Sequence, residues 1–512
     1  MKRIGVDVGG TNTDAVLVDG DTVDATIKTP TTEDVTGGVR TALADLVEAA
    51  GNRIGDVAAA MIGTTHFVNA VVQRRNLNRA AAIRVCLPTS ASLPPFVDWP
   101  DDLAAIVNGG VHLVAGGHEY DGRPIVPLDE TAIAKAARSI KATGVRSVAI
   151  SAVFSPLTAA CEERAAEIVK NEHPDAHITL SSALGRIGLL ERENATLLNA
   201  ALIDLARETT KAFFAAMRDS GIDAPLYVTQ NDGTVVAAEI ARDYPVYSFA
   251  SGPTNSMRGA AFLSNIENAM VIDIGGTTTD VGCLKNGFPR EANNVVEIGG
   301  VRTLFRMPDL LSIGIGGGTI VEPQPLTVGP VSVGYQLTEK ALVFGGDVLT
   351  CTDIAVAAGL AEIGDKSKTD HLPASLVKDT LAMIQDRLYE TVDQMKTDAT
   401  ETPLLAVGGG AILAPDKMAG ISDVVRVPHH GVANAVGAAI AQISGEVDRI
   451  FQDMSRDDVL AAATKIARQN AIAAGAAADT LKTVEMEDMP LAYLPGNAVR
   501  ARVRVVGDVM EL

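Results

Sequence analysis

Short aliphatic runs that end in glycine or in Asp-Gly and Asn-Gly pairs alternate along the chain with stretches in which apolar residues recur every three or four positions. The first pattern predicts strands closed by turns, the second helices with one buried face. Residues 3–6 read as a strand, followed by Asp7-Val8-Gly9-Gly10-Thr11-Asn12-Thr13-Asp14, a second strand at 15–18 and the polar turn Asp19-Gly20-Asp21. The same succession returns at 269–272, Asp273-Ile274-Gly275-Gly276-Thr277-Thr278-Thr279-Asp280, 281–284 and Lys285-Asn286-Gly287. Six of the eight octamer positions are identical, and the others are Val/Ile and Asn/Thr. The period is therefore strand, Gly-Gly turn, strand, turn, strand, used twice.

Helical spacing places Val39, Leu43, Leu46 and Val47 on one face after the first copy, and Leu376, Val377, Leu381, Ile384, Leu388, Val392 and Met395 on one face after the second. A long helical pattern covers 187–217, and an aliphatic strand at 404–407 runs into Gly408-Gly409-Gly410. Residues 87–127 are punctuated by proline and glycine and predict an inserted subdomain or lid, holding the chain's single tryptophan, Trp99, for which a surface anchor and a local core fit equally. Helix, strand and helix at 129–142, 147–153 and 158–171 complete an α/β unit. Small residues at 431–439 suit close helix contact, an Ala-rich helix covers 459–474, and Val503 and Val505 alternate with Arg502 and Arg504 in a last strand. The expected division is a first lobe at 1–186 with the insertion near 87–127, a second lobe at 187–430, and a return helix with a small C-terminal tail at 431–512.

Charge narrows the function. Against 43 Lys+Arg stand 63 Asp+Glu in 512 residues, a net charge of −20, which disfavours nucleic acid and anionic membrane as partners. Cys86, Cys161, Cys283 and Cys351 are far apart with no CxxC pair, so reduced thiols and a cytoplasmic location are expected rather than disulfides or a zinc site. The N-terminal apolar run is broken at Asp7, and the uncharged window 427–445 is interrupted by polar residues, so neither a signal peptide nor a spanning helix is expected. His429 and His430 are adjacent, point apart and have no third ligand nearby in sequence, which favours a loop over a metal site.

A single Gly-Gly hairpin is an ordinary turn. Two alike make sense as the two walls of a phosphate clamp, because glycine lets the backbone approach an anion and successive turn N–H groups form a nest for it. Gly9, Gly10, Gly275 and Gly276 would supply that backbone, and Thr11, Asn12, Thr13, Thr277 and Thr278 neutral donors. Asp7 and Asp273, at the strand ends, are the candidate catalytic residues and the candidate Mg²⁺ ligands, direct or through water. The Gly408-Gly409-Gly410 turn could lie flat against the ring or sugar of a nucleotide.

In order and kind these segments resemble the ATPase fold shared by actin, Hsp70-type chaperones and sugar kinases, which implies two duplicated ribonuclease-H-like lobes closing on ATP and Mg²⁺. More narrowly, the chain is similar to the hydantoinase A / 5-oxoprolinase family. That likeness rests on Gly63-Thr64-Thr65 with Asn69, Glu191-Arg192 with Leu198-Asn199-Ala200, and Ser251-Gly252-Pro253. It also rests on Ser312-Ile313-Gly314 with Gly316-Gly317-Gly318, on Gly329-Pro330 and on Thr352-Asp353. It departs from the family at Ile62, where a histidine is usual, and at Asn231-Asp232-Gly233-Thr234, where Ser-Asp-Gly-Gly is usual. The resemblance implies phosphorylation of a cyclic amide or imide, with hydrolysis on a second, hydantoinase B-like subunit, and it implies substrate contact at Gly63, Thr64, Thr65, Asn69, Gly316, Gly317 and Gly318. A small-molecule kinase and an ATP-driven module that remodels a partner are the alternatives.

Overall fold

The structure is a computed structural model and describes all residues except 10–11, 31–34, 185–187, 293–294, 305, 493–495 and 511–512. Lys2–Val8, Asn12–Asp19 and Thr22–Pro30 form an antiparallel meander, and Val57–Thr64 joins its first strand in parallel. Ala269–Ile274, Thr279–Lys285 and Phe288–Pro289 repeat that meander, with Thr402–Val407 in the parallel position. Each set gains one more parallel strand, Leu226–Thr229 in the first and Ile421–Arg426 in the second. Numbering each set in chain order, both lobes have the order 3-2-1-4-5. This is the ribonuclease-H-like duplication expected from the octamer repeat.

The helical faces read from the spacing are the ones buried. Val39, Leu43 and Leu46 of helix Val35–Ala50 pack on Ile4, Val6 and Leu17, and Val377, Ile384, Leu388 and Val392 of helix Ala374–Met395 pack with Met270, Ile272 and Val281. Each such side chain contributes about 1.5–3 kcal/mol when taken out of water. The small-residue helix, Ala433–Ala439, lies against helix Ser251–Ser264 at backbone distance.

Three expected boundaries move, each because strand pairing is decided by distant segments. Leu226–Thr229 and Thr234–Ala237, placed by the sequence reading within a second lobe of 187–430, hydrogen-bond into the first lobe's sheet. The tail is not a small appendage. Gln442–Phe451, Val499–Gly507 and Lys482–Pro490 extend that sheet to nine strands, and helix Arg456–Ala473 covers Val447, Val503 and Val505. The insertion is larger than 87–127: Asn108–Ala115, Ala80–Leu87, Ser147–Ala152 and His177–Leu180 form a separate four-stranded parallel sheet. Parallel pairs need long crossovers, and helices Asp101–Val107, Glu130–Ala142 and Ala160–Glu172 supply them. Trp99 belongs to a local core, its Nε1 donating to Asn194 Oδ1 at 2.8 Å. The expected lobe junction at 186–187 lies outside the described residues. No described helix is long and apolar enough to cross a membrane.

Candidate functional site

Strand register builds the site. In the first hairpin Asp7 lies opposite Asp14, and in the second Asp273 lies opposite Asp280. Cross-strand partners share a face, so each lobe presents a pair of carboxylates at the end of its hairpin. The turns match too: Gly9 N donates to Asn12 O at 3.0 Å and Gly275 N to Thr278 O at 2.9 Å. All four carboxylates face one cavity of about 300 Å³ between the lobes, with Gly9, Asn12, Gly275, Gly276, Thr277, Thr278 and the Gly408-Gly409-Gly410 turn on its walls.

Asp7 is held by two amides from helices far away in sequence. Asn255 Nδ2 donates to its Oδ1 at 3.1 Å and Asn434 Nδ2 to its Oδ2 at 3.0 Å. These bonds favour the carboxylate, but burial outweighs them and pushes Asp7 up to about 6, with Asp14 and Asp273 adding like-charge repulsion. Burial raises Asp273 and Asp14 as well, the latter opposed by Lys28, whose Nζ is 2.7 Å from Asp14 Oδ1. Asp280 is pushed to about 6, chiefly by burial, while Ser312 Oγ donates to it.

This donor set fits Mg²⁺. Desolvated carboxylates on both walls, with Lys28 as their one cationic neighbour among the lining residues, gain from a divalent cation, and Mg²⁺ bound through one or two carboxylates keeps waters as its other ligands. Among the described residues no three His, Cys, Asp or Glu side chains converge as an all-protein metal cage.

The remaining candidates fall in three groups. Gly10 and Thr11 lie outside the described residues. Thr13 is fully buried and not on the cavity wall, because side chains alternate along a strand and Asn12 and Asp14 take the other face. Of the proposed substrate residues, Thr65 lines the cavity, and Asn69 supports it by donating to Thr65 Oγ1 at 3.2 Å. Thr64 is buried, its N–H donating to Ser251 Oγ at 3.2 Å. Gly316, Gly317 and Gly318 brace the second Gly-Gly turn, and Gly317 also lines the cavity. Gly317 N donates to Gly275 O at 2.9 Å and Gly318 N to Gly276 O at 2.7 Å. Thr352 in turn donates to Gly317 O through both N and Oγ1 at 2.8 Å. The Gly408 turn is pinned by His430, whose carbonyl accepts from Gly408 N at 2.9 Å.

Gly63 sits where no side chain fits. A Cβ there would lie 2.3 Å from Asn255 Nδ2 and 2.4 Å from Asp7 Oδ1, and at Gly408 it would lie 2.3 Å from Asp273 Oδ1. The two lobes thus use the same device, a glycine on the neighbouring parallel strand or just after it, to leave room for the aspartate. Gly63→Ala is expected to lower any turnover at this cavity by about 100-fold through displacement of Asp7 with far-UV circular dichroism unchanged; wild-type turnover would contradict this arrangement.

Asp14, Asp280, Lys28, Asn255 and Asn434 were not among the sequence candidates. The two aspartates carried a readable signal, since each octamer both begins and ends in Asp and a hairpin pairs its ends. The asparagines carried none.

The hydantoinase/oxoprolinase N-terminal region matches residues 3–173, and the hydantoinase/oxoprolinase region matches residues 192–393. The caprolactamase subunit alpha of Pseudomonas jessenii is 26% identical over 388 residues, 70% of this chain and 54% of its own length. The acetophenone carboxylase gamma subunit of Aromatoleum aromaticum is 26% identical over 397 residues, 70% of this chain and 53% of its own. The chain therefore spans about half the length of these curated relatives. Among solved structures, ATP-dependent caprolactamase from Pseudomonas jessenii superposes with a TM-score of 0.76 at 19% identity, covering 99% of this chain and 88% of that one. Nucleotide-free acetone carboxylase gives 0.70 at 18% identity, covering 100% and 89%. Those two likenesses show a shared fold. With both of its characteristic regions matched in order along a duplicated, aspartate-lined cleft, the chain belongs to the hydantoinase/oxoprolinase family.

Proposed function

We propose that the chain binds ATP between its lobes and transfers the γ-phosphoryl group to the carbonyl oxygen of a cyclic amide or imide, such as a hydantoin or an oxoproline-like lactam. It would do so as the nucleotide-binding subunit of a two-component ring-opening hydrolase. The observation that carries this reading is the equivalence of Asp7 and Asp273, each paired across its hairpin with a second aspartate and each beside a glycine turn on one cavity. Relatives named as subunits of caprolactamase and acetophenone carboxylase support it.

An amide carbon is a poor electrophile because nitrogen donates its lone pair into the carbonyl. Phosphorylation of the oxygen removes that protection. In this reading the phosphates lie against the turns that carry Gly9, Asn12, Gly275, Gly276, Thr277 and Thr278, and adenosine lies against Gly408-Gly409-Gly410 with Leu337 and Ile363 as apolar walls. Mg²⁺ on Asp7 and Asp273, when bound, supplies neutralisation of phosphate charge. The amide oxygen attacks the γ-phosphorus, the bond from that phosphorus to the ADP oxygen breaks, and the amide N–H proton is lost. Asp7 orients the amide through its N–H, and solvent water takes the proton. On the partner subunit water then adds to the activated carbon, the C–N bond breaks with the nitrogen taking a proton to leave an acyl phosphate, and a second water releases phosphate and the ring-opened carboxylate.

Purified chain, assayed with ATP and a panel of hydantoins and lactams with and without a candidate partner subunit, tests this. ADP, phosphate and ring-opened product in equal amounts are expected. Phosphorylation of a polyol without any amide, or no ring opening of any panel member with the partner present, overturns it.

A further inference from the structure

Each meander has two ends, and only the Gly-Gly ends meet the nucleotide cleft. At the opposite ends the described residues line a second cavity of about 760 Å³, within the roughly 300–1,000 Å³ range of small-molecule sites. The duplicated polar turns come together there. Asp21 belongs to the turn between the second and third strands of the first meander, and Asn286 and Gly287 to the matching turn of the second. Arg3 reaches the cavity from the strand that carries Asp7 four residues later, roughly 13 Å along at about 3.3 Å per residue. Lys482 and Asp508 complete the first-lobe side from the C-terminal strands, and Glu267 stands on the second-lobe side, just before Ala269–Ile274.

The charges at this cavity are not matched to one another. Among the described residues Arg3, Lys482, Asp21, Glu267 and Asp508 form no ion pair, although all five line the same space. Arg258 is the exception among the cations, with Nη1 donating to Gly287 O at 2.7 Å and its guanidinium 3.8 Å from the centre of the Phe288 ring. Arg3 is half-buried. Its Nε is closed off, but Nη1 and Nη2 reach the cavity without a hydrogen-bond partner. Burial pulls the Arg3 pKa down, and the fields of Asp508 and Asp21 oppose this only in part. Two parallel, accessible N–H donors are the arrangement that binds a carboxylate through both oxygens. Across the cavity the exposed Glu267 carboxylate has no cation bonded to it. A fixed cation on one lobe facing a free carboxylate on the other complements a small molecule with a carboxylate at one end and an ammonium at the other.

We propose that this cavity binds a zwitterionic amino acid, its carboxylate on Arg3 and its ammonium on Glu267, and that the bound amino acid opposes closure of the lobes on nucleotide. Hydrolysis of a lactam yields such a molecule, since the freed amine and carboxyl are both ionised at neutral pH; the identification of the ligand as ring-opened product rests on the amide-activating reading above. The antagonism follows from how the two cavities are joined. Helix Ser251–Ser264 packs on the second sheet, with Met257 and Ala260 against Val271 and Leu405, and helix Ala433–Ala439 packs on Val16 and Val18 of the first. The two touch backbone to backbone at Gly259 and Gly437. Before that contact Asn255 and Asn434 hold Asp7; after it Ala261, Phe262 and Ile440 line the second cavity. The crossing therefore stands between the two cavities, with one helix on each lobe. A ligand that ties Arg3 to Glu267 draws the lobes together behind the crossing, which parts them in front of it. Linkage then makes amino acid and nucleotide weaken each other by the same factor.

Calorimetric titration of the full chain with 6-aminohexanoate and with glutamate, the ring-opened forms of caprolactam and 5-oxoproline, is the test. At least one is expected to bind and, at saturation, to weaken a non-hydrolysable ATP analogue by about five-fold or more. Hexanoate and hexylamine, which each keep one of the two charges, should bind about ten-fold or more weakly than 6-aminohexanoate if that is the ligand. Arg3→Met and Glu267→Gln should each weaken the amino acid by about ten-fold or more, with analogue affinity in its absence unchanged. Glu267 is exposed, so Glu267→Gln supplies a folded variant even if Arg3→Met does not. No binding of either amino acid to the native chain, native binding in a folded variant, or an analogue affinity that saturating amino acid leaves unmoved overturns the proposal. Binding with antagonism, but no ring opening by the partnered enzyme, keeps the site and removes the activity. Ring opening by a chain that binds neither amino acid removes the site and keeps the activity.

Discussion

Asp7→Asn should abolish ATP turnover and at the same time stabilise the ligand-free chain at neutral pH. The sign follows from the direction in which burial moves the carboxyl. Its pKa rises from 3.8 to about 6 on folding. Above that value the carboxylate is charged in both states and the folded state bears the whole desolvation cost; below the unfolded value it is neutral in both and the cost is gone. Stability from this group is therefore lost as pH rises from about 4 to 6, by an amount on the order of 3 kcal/mol. The substituted amide carries no charge, although it could satisfy only one of the two donors, Asn255 and Asn434, that now meet Asp7. The lost bond offsets about 1 kcal/mol, which leaves a net gain of about 1–2 kcal/mol above pH 7 that vanishes near pH 4. Thermal unfolding at both pH values, beside an ATPase assay, reads both effects. A variant less stable than the native chain at pH 7.5, or one that still turns over ATP, would refute the assignment of Asp7 as a functional carboxylate held at a cost to the fold.

Gly437→Ala should be as damaging as a lost core side chain, although it adds a single methyl group. A Cβ at Gly437 would lie 1.8 Å from the carbonyl oxygen of Asn255, and one at Gly259 would lie 1.9 Å from the carbonyl oxygen of Ala433. The obstacle in each case is backbone, so no rotamer change relieves it and the helices must part. Parting them withdraws Asn255 and Asn434 from Asp7, since one asparagine stands on each helix. A loss of about 3 kcal/mol or more is expected, at the upper end of overpacking effects, together with loss of turnover even in the fraction that folds. Gly55→Ala, where the nearest atom would be Asn52 O at 3.9 Å, is the matched control and should stay within about 0.5 kcal/mol. Equal melting curves for Gly437→Ala and Gly55→Ala would show that the helix crossing tolerates separation.

These two positions also mark how far the chain could be read by eye. Asp7 was legible because a repeated octamer places it at a strand end in both copies, and pairing across a two-strand hairpin is a local matter. Gly437 was legible only as one of several small residues at helical spacing. Which carbonyl it would meet depends on a helix almost two hundred residues earlier. Asn255 and Asn434 lie 248 and 427 residues from the aspartate they hold, and no short-range pattern distinguishes them from the chain's other asparagines. The Gly316-Gly317-Gly318 loop was placed at the substrate by resemblance, whereas the N–H groups of Gly317 and Gly318 are spent on the backbone of Gly275 and Gly276.

What the sequence by itself determined is everything governed by near neighbours: the duplicated meander, the aspartates at its ends, the buried faces of the long helices, and the acidic balance of the chain. What the tertiary structure decided is which segments pair across long loops. It moved residues 226–237 and three C-terminal strands into the first sheet, enlarged the insertion to four parallel strands, and brought two asparagines onto one carboxylate. The physical reason is that period and turn chemistry fix the form of a strand or helix, while the choice of partner strand and helix crossing rests on burial summed over the whole fold, which no local window contains.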